Sequence, residues 1–224
     1  MIDKVLYNKL VKKYGDEMVF IVPFDAIANT IPDGYTPKEF IKSCDLLTSL
    51  EVKGNFIFRY DAEYNTAFQQ LIPYTMVFSN DYSKIYVAKR IAGDARLVKS
   101  YSLGFGGHIN TCDLKDIRSA IWLNAANREL DEELSITNQT EPVFNGYIRD
   151  LKSETSEHIG LLYSVTCDDV KVRETDCLVG EWMTIDEILD KYTKFESWSK
   201  MLIDHMFMNN KEYSKLWTVN KGGK

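Results

Sequence analysis

Apolar residues along the chain change their spacing twice, and the changes divide it into segments. Near the start, Val5, Leu6, Leu10, Val11 and Tyr14 fall three or four apart and predict one face of a short helix. The run from Phe20 to Phe24 predicts a short strand. Thr36, Pro37 and Glu39 have the order of a cap, a first helical residue and a capping-box carboxylate, which predicts a helix over roughly 37–49. Residues 55–59 predict another strand. From residue 70 the runs shorten and alternate. Leu71 to Phe78, a turn at Asn80-Asp81, and Lys84 to Arg90 read as a hairpin. Ser100 to Phe105 predicts a third strand of this series, closing on Gly104, Gly106 and Gly107. Helical spacing returns from about Leu114 to Leu134. Strands follow near 143–149, 158–167 and at Glu181 to Thr184. Thr184 and Glu187 offer a second capping box, and helices over about 185–192 and 196–209 complete the pattern. Strands, a long helix, more strands and further helices predict an α/β or α+β sandwich.

Composition narrows this picture. The 224 residues suffice for one sizeable α/β domain, or a domain of ordinary size with an added terminal segment. No run of ~18 apolar residues occurs, and the first ten residues mix charge with apolar side chains, so neither a membrane span nor a signal peptide is expected. The expected location is the cytoplasm. A net charge of −6 argues against binding extended nucleic acid, which needs clustered Lys and Arg. It leaves a nucleotide open, because a bound metal can supply positive charge. Cys44, Cys112, Cys167 and Cys177 form no C-x-x-C pair, so reduced thiols are expected rather than a zinc site.

The segment that changes the functional picture lies in the long helix. Ala120, Leu123, Ala126, Leu130 and Leu134 form one apolar stripe. Glu129, Glu132 and Glu133 are three, four or one apart and project close together from one side. Three neighbouring carboxylates repel unless a cation sits among them. Mg²⁺ suits that place, being a hard ion that prefers oxygen and bridges to phosphate. Arg128, beside Glu129 and four before Glu132, can orient a carboxylate. A plain acidic, solvated helix face is the alternative. Gly106-Gly107, at a strand end before this helix, lets backbone approach a ligand closely.

The string Arg128-Glu129-Leu130-Asp131-Glu132-Glu133-Leu134-Ser135-Ile136 resembles the second half of the Nudix box, G-x5-E-x7-R-E-U-x-E-E-x-G-U, with Ser135 in place of glycine. The first glycine of that box resembles Gly107. Twenty residues, 108–127, separate Gly107 from Arg128, seven more than the box allows, and Ala120 stands where its first Glu is expected. Asp113 and Asp116 are the candidate replacements. Further strings, Gln70 to Tyr74, Asp94 to Leu97, Ser102 to Asn110 and Phe195 to Ser199, are similar to a microbial branch of Nudix proteins described as phosphoesterases, in which the longer spacing is normal.

The resemblance implies a Nudix-type α/β/α sandwich with a mixed β-sheet. Residues 1–60 would form an N-terminal extension, 61–210 the core and 211–224 a tail. It implies Mg²⁺, with Mn²⁺ as an alternative, held by Glu129, Glu132, Glu133 and the Gly107 carbonyl. Arg128, Glu129 and Glu132 would carry the catalysis. Many Nudix enzymes add a carboxylate about six residues before a Trp that precedes the last helix. Asp176 lies six before Trp182 and Glu174 two further back, and either is a candidate metal ligand or base. His108 and Arg96 are candidate substrate contacts. The implied reaction is hydrolysis of a pyrophosphate bond in a nucleoside diphosphate-linked or nucleotide-like small molecule. Three alternatives stand beside it: a Nudix-fold nucleotide sensor, an enzyme that decaps RNA ends, and an interaction protein that docks or forms a homodimer through residues 1–60.

Overall fold

The computed structural model describes residues 3–41, 43–92, 100–114, 120–153, 156–173 and 175–208. It has the expected α/β fold, with helices and a large mixed sheet. The chain forms two compact units. One takes in Met1–Pro73, Gly107–Ala125 and Asn145–Leu161; the other takes in Tyr74–Gly106, Ala126–Phe144 and Leu162–Lys224.

In the first unit, helix α1 (Lys4–Tyr14) starts at Asp3, whose carboxylate accepts the Leu6 N–H at 2.8 Å. Its expected face is buried only at Leu10, and Val5 is exposed. Strand β1 (Met18–Pro23) pairs antiparallel with β3 (Asn55–Phe58) and with the first residues of β4 (Phe68–Ser79), where Ile21 faces Gln70. Val19, Ile21 and Ala62 pack as a small core. The short helix α3 (Arg59–Ala62) follows β3 directly.

Thr36 and Pro37 do not open the expected α-helix; only a 3₁₀ turn, Lys38–Phe40, follows them. They end strand β2 (Gly34–Pro37), which pairs with β9 (Val143–Arg149), Thr36 opposite Tyr147 and Pro37 opposite Gly146. Gly146 is needed there: its φ is 149°, and an added Cβ would lie 2.3 Å from the Thr36 carbonyl oxygen. Pairing with a segment over a hundred residues away overrides the local capping signal. The helix, α2 (Ser43–Lys53), begins six residues later.

In the second unit, the hairpin is as expected. Val77 of β4 faces Tyr86 of β5 (Lys84–Arg90), and β5 also pairs with β12 (Leu178–Thr184) from Arg90 to Lys84. The turn is fixed by Asp81, whose carboxylate accepts from Ser79 Oγ at 2.7 Å and from the Ser83 N–H at 3.0 Å. The expected strand at 100–105 is two short pieces: β6 (Tyr101–Ser102) pairs with β5, and β7 (Gly104–Phe105) with β4. Strand β10 (His158–Cys167) occupies its expected span. Strands β8 (Leu134–Thr137) and β11 (Asp169–Val172), which no apolar pattern announced, form a separate pair. Thr184 and Glu187 form the expected capping box of α5 (Ile185–Asp190). Helix α6 (Ser197–Ile203) runs on as a π-helical turn, Asp204–Met208.

The carboxylate helix, α4 (Ile121–Glu133), is shorter than its pattern at both ends. Leu114 instead closes a 3₁₀ turn, Thr111–Asp113. The Ala120 carbonyl accepts the N–H groups of Leu123 and Asn124, which sets the first helical turn. Leu134 begins β8 rather than ending the helix. Cys112, Cys167 and Cys177 are free thiols, as expected. No helix among the described residues is long and apolar enough to cross a membrane.

Candidate functional site

One face of α4 anchors it. Ala125, Ala126 and Leu130 are buried, and so is Leu134 at the start of β8. Leu130 and Leu134 belong to a core with Val77, Phe105, Val165 and Val170. Burial of that face leaves Asp131 and Glu132 on the solvent side of the helix. Arg128 Nη1 lies 2.6 Å from Glu129 Oε1 and 3.0 Å from Glu132 Oε2. The guanidinium therefore bridges two carboxylates one turn apart. The Arg128 and Glu129 side chains are mostly enclosed, at 13% and 12% exposure, while Glu132 is open at 53%. Glu133 is half-buried, and its backbone carbonyl accepts the Arg173 N–H at 2.7 Å, which ties the helix end to the residue after β11.

Arg128, Glu129, Glu132 and Glu133 are four of six consecutive residues, and the three carboxylates offer hard oxygen donors. That set fits Mg²⁺ or Mn²⁺ in chemistry. Arg128 here supplies positive charge to the group, which lowers the repulsion between Glu129 and Glu132.

The remaining sequence candidates are distributed. Gly107 and His108 belong to the first unit, in the loop after β7. The His108 ring stands edge-on to His158 with centroids 5.3 Å apart. Asp176 is exposed in the turn before β12, in the unit that holds Arg128 to Glu133. Trp182, the landmark for that carboxylate, is partly buried in β12 against Tyr86, ring centroids 5.2 Å apart. Arg96, Glu174 and Asp116 lie outside the described residues. Asp113 is fully buried, and its carboxylate accepts the Asn110 N–H at 2.8 Å to cap its own turn. That local bond gives Asp113 a structural role.

Two residues that sequence reasoning did not select join His108. Glu63 and His158 each offer a donor atom, and with His108 these atoms all lie within 4.8 Å of one another. No motif or fixed spacing links positions 63, 108 and 158, so only the fold brings them together.

No family model matches the chain. Protein YmaB of Bacillus subtilis strain 168 is 30% identical to it over 204 residues, which span 84% of this chain and 97% of that protein. The crystal structure of Tm1382, a candidate Nudix hydrolase, matches at a TM-score of 0.72 and 26% identity, over 84% of this chain and 97% of that one. The chain belongs to the Nudix hydrolase superfamily. The hydrolase class expected from its helix is the class of that superfamily.

The departures of this Nudix chain from the box have local structural counterparts. Position 135, a glycine in the box, lies in β8 opposite Lys171, where extended backbone admits any side chain. The longer spacing of this Nudix sequence falls in 108–127, which contains the 3₁₀ turn Thr111–Asp113 ahead of α4. Ala120, at the place of the first box Glu, precedes the first residue of the helix and supplies its backbone carbonyl to the opening turn.

Proposed function

We propose that this protein hydrolyses a phosphoanhydride bond in a nucleoside diphosphate-linked or nucleotide-like small molecule, using the charged face of α4. The observation that carries the reading is the Arg128 bridge: one guanidinium within 3.0 Å of carboxylate oxygens from both Glu129 and Glu132. An isolated solvated helix face would have no reason to enclose Arg128 and Glu129 together.

Glu129, Glu132 and Glu133 would hold a divalent ion, Mg²⁺ or Mn²⁺. When bound, such an ion neutralises phosphate charge and acidifies coordinated water. Arg128 holds Glu129 and Glu132 in fixed orientation, so neither carboxylate must reorganise as substrate arrives. Glu132, the more open of the two, has room to meet an ion that also bears a phosphate, while Glu129 would share that ion or take a proton from water. Asp176 is the second candidate proton acceptor. Ala120, lacking the first box carboxylate, is the feature that favours the sensor alternative, in which nucleotide binds without turnover.

One experiment separates these readings. A panel of diphosphate compounds is incubated with the protein and Mg²⁺, and phosphate-containing products are measured for wild type and for Glu132→Gln with Glu133→Gln. Cleavage of one compound class by wild type alone supports the hydrolase reading and identifies the substrate class. Binding of a nucleotide with no cleavage supports the sensor. Full activity in the double variant rejects α4 as the site.

A further inference from the structure

We propose that Glu63, His108 and His158 form a binding site for one divalent transition-metal ion of the Zn²⁺ type. The proposal does not rest on the hydrolase reading. It concerns side chains of the first unit alone.

The donor set decides the class of ion. Two imidazoles and one carboxylate hold Zn²⁺ or a similar borderline metal with a coordination position left open, whereas Mg²⁺ and Ca²⁺ select all-oxygen surroundings. The three donor atoms already lie within 4.8 Å of one another. Ligands of a tetrahedral zinc stand roughly 3.4 Å apart, given bonds of about 2.1 Å. The donor atoms therefore need to draw together by up to about 1.4 Å, which is within the reach of side-chain torsions. The sequence expectation against zinc rested on the cysteines, and none of these ligands is a cysteine.

The fold holds each donor in place. Glu63 directly follows α3, is 2% exposed, and accepts from Arg59 Nε at 3.1 Å. Arg59 is itself fixed by Glu17 at 3.0 Å and lies over the Tyr14 ring at 4.3 Å. A carboxylate ligand anchored through a second residue is the usual construction of a metal site. His158 is the first residue of β10, and the carbonyl of its neighbour Glu157 accepts the Gln70 N–H at 2.7 Å. His108 precedes Ile109, whose carbonyl accepts the Phe20 N–H at 2.9 Å. Two histidines and a buried carboxylate from three distant parts of the sequence thus converge on pinned backbone.

The chain has three histidines, and this makes the test direct. The full-length protein is stripped with a chelator, dialysed, and titrated with Zn²⁺ alone while the imidazole ¹⁵N signals are followed by NMR. At one equivalent, the signals of His108 and His158 are expected to shift and that of His205 to stay. Unmoved signals, or three signals drifting together, overturn the proposal. Zn²⁺ retained after gel filtration is then counted for wild type, for His108→Gln and His158→Gln, and for Glu132→Gln with Glu133→Gln. Retention is expected in wild type and in the helix variant, with a loss of tenfold or more in occupancy at limiting Zn²⁺ in each histidine variant. Loss in the helix variant, or retention in both histidine variants, assigns the ion elsewhere and overturns it. The NMR arm needs no substitution, so a variant that fails to fold does not blunt the test.

Discussion

The Tyr74 hydroxyl donates to Glu196 Oε1 at 2.9 Å, and it lies 2.9 Å from Ser199 Oγ. The two residues are 122 positions apart and close the second unit on itself. Glu196 also caps α6, accepting the Trp198 N–H at 2.7 Å and the Ser199 N–H at 2.8 Å, and it takes a hydrogen bond from Ser199 Oγ. Ser199 Oγ in turn accepts the Leu103 N–H at 2.8 Å. One strand, one loop and one helix start are therefore joined through a single buried polar group. Replacing Tyr74 with Phe removes a donor from an enclosed carboxylate while keeping the ring. The expected cost is about 1–3 kcal/mol, read as a lower urea midpoint with an unchanged slope. A midpoint equal to wild type would show that the hydroxyl adds nothing.

Glu196 also gives the stability of the protein a pH dependence of unusual sign. Burial pushes its carboxyl above the ordinary value of 4.5, and the hydrogen bonds from Ser199, Tyr74 and Trp198 only partly oppose that shift. The folded chain therefore holds this proton more tightly than the unfolded chain does. The contribution of Glu196 to stability is fully present below about 4.5, the unfolded value, and is lost as pH rises through the raised folded value. Glu196→Gln keeps an oxygen for the caps and removes the titration. The melting temperature of wild type relative to the variant should fall as pH is raised from acid toward neutrality. A difference that stays flat with pH contradicts the assignment.

The strings that bracket this contact, Gln70 to Tyr74 and Phe195 to Ser199, were visible in the sequence as resemblance without a reason. The reason is three-dimensional, because the bond between Tyr74 and Glu196 depends on how β4 and α6 pack. What the sequence made legible was whatever is set within a few residues: the hairpin around Asp81, the capping box from Thr184 to Glu187, the apolar stripe of α4 and the carboxylates opposite it. What it hid was set at long range. Thr36 and Pro37 carry a sound helix-start signal, yet pairing with Tyr147 and Gly146 makes them strand. Leu134 continues the helical stripe, yet pairing with Val172 makes it strand. Glu63, His108 and His158 meet across 95 residues with no periodicity to betray them.

Gly104, expected only as part of a strand end, makes a close approach. It sits in β7, and a Cβ added there would come within 2.5 Å of the Tyr74 ring. Gly104→Ala must push that ring, and the hydroxyl that reaches Glu196 with it. Overpacking of a filled site costs about 1–3 kcal/mol. If the ring displacement is the cause, the Gly104→Ala loss and the Tyr74→Phe loss will overlap. The double variant should then be destabilised by clearly less than the two single losses added together. Strict additivity in the urea midpoints would mean that the two changes act on separate parts of the fold.

Arg128 offers the sharpest separation between stability and chemistry. Its partner Glu132 is half in solvent, and pairs of this kind, one turn apart on a helix, contribute about 0.3–0.5 kcal/mol. Glu129 is more enclosed, so the bridge as a whole contributes more, though not enough to govern folding of a core that includes Leu130 and Leu134. Arg128→Gln is therefore expected to lower unfolding stability by about 1 kcal/mol or less. Its effect on turnover is expected to be far larger. Without the guanidinium, Glu129 and Glu132 repel each other and lose their fixed orientation, and loss of such an orienting partner costs on the order of 10–100-fold in metal affinity or activity. On the panel substrate that wild type cleaves, the variant should need more Mg²⁺ for half-maximal rate, and Arg128→Lys should recover part of that loss by restoring the charge without the planar fork. Equal Mg²⁺ dependence in wild type and Arg128→Gln would leave the bridge as a surface ion pair and remove it from the proposed machinery.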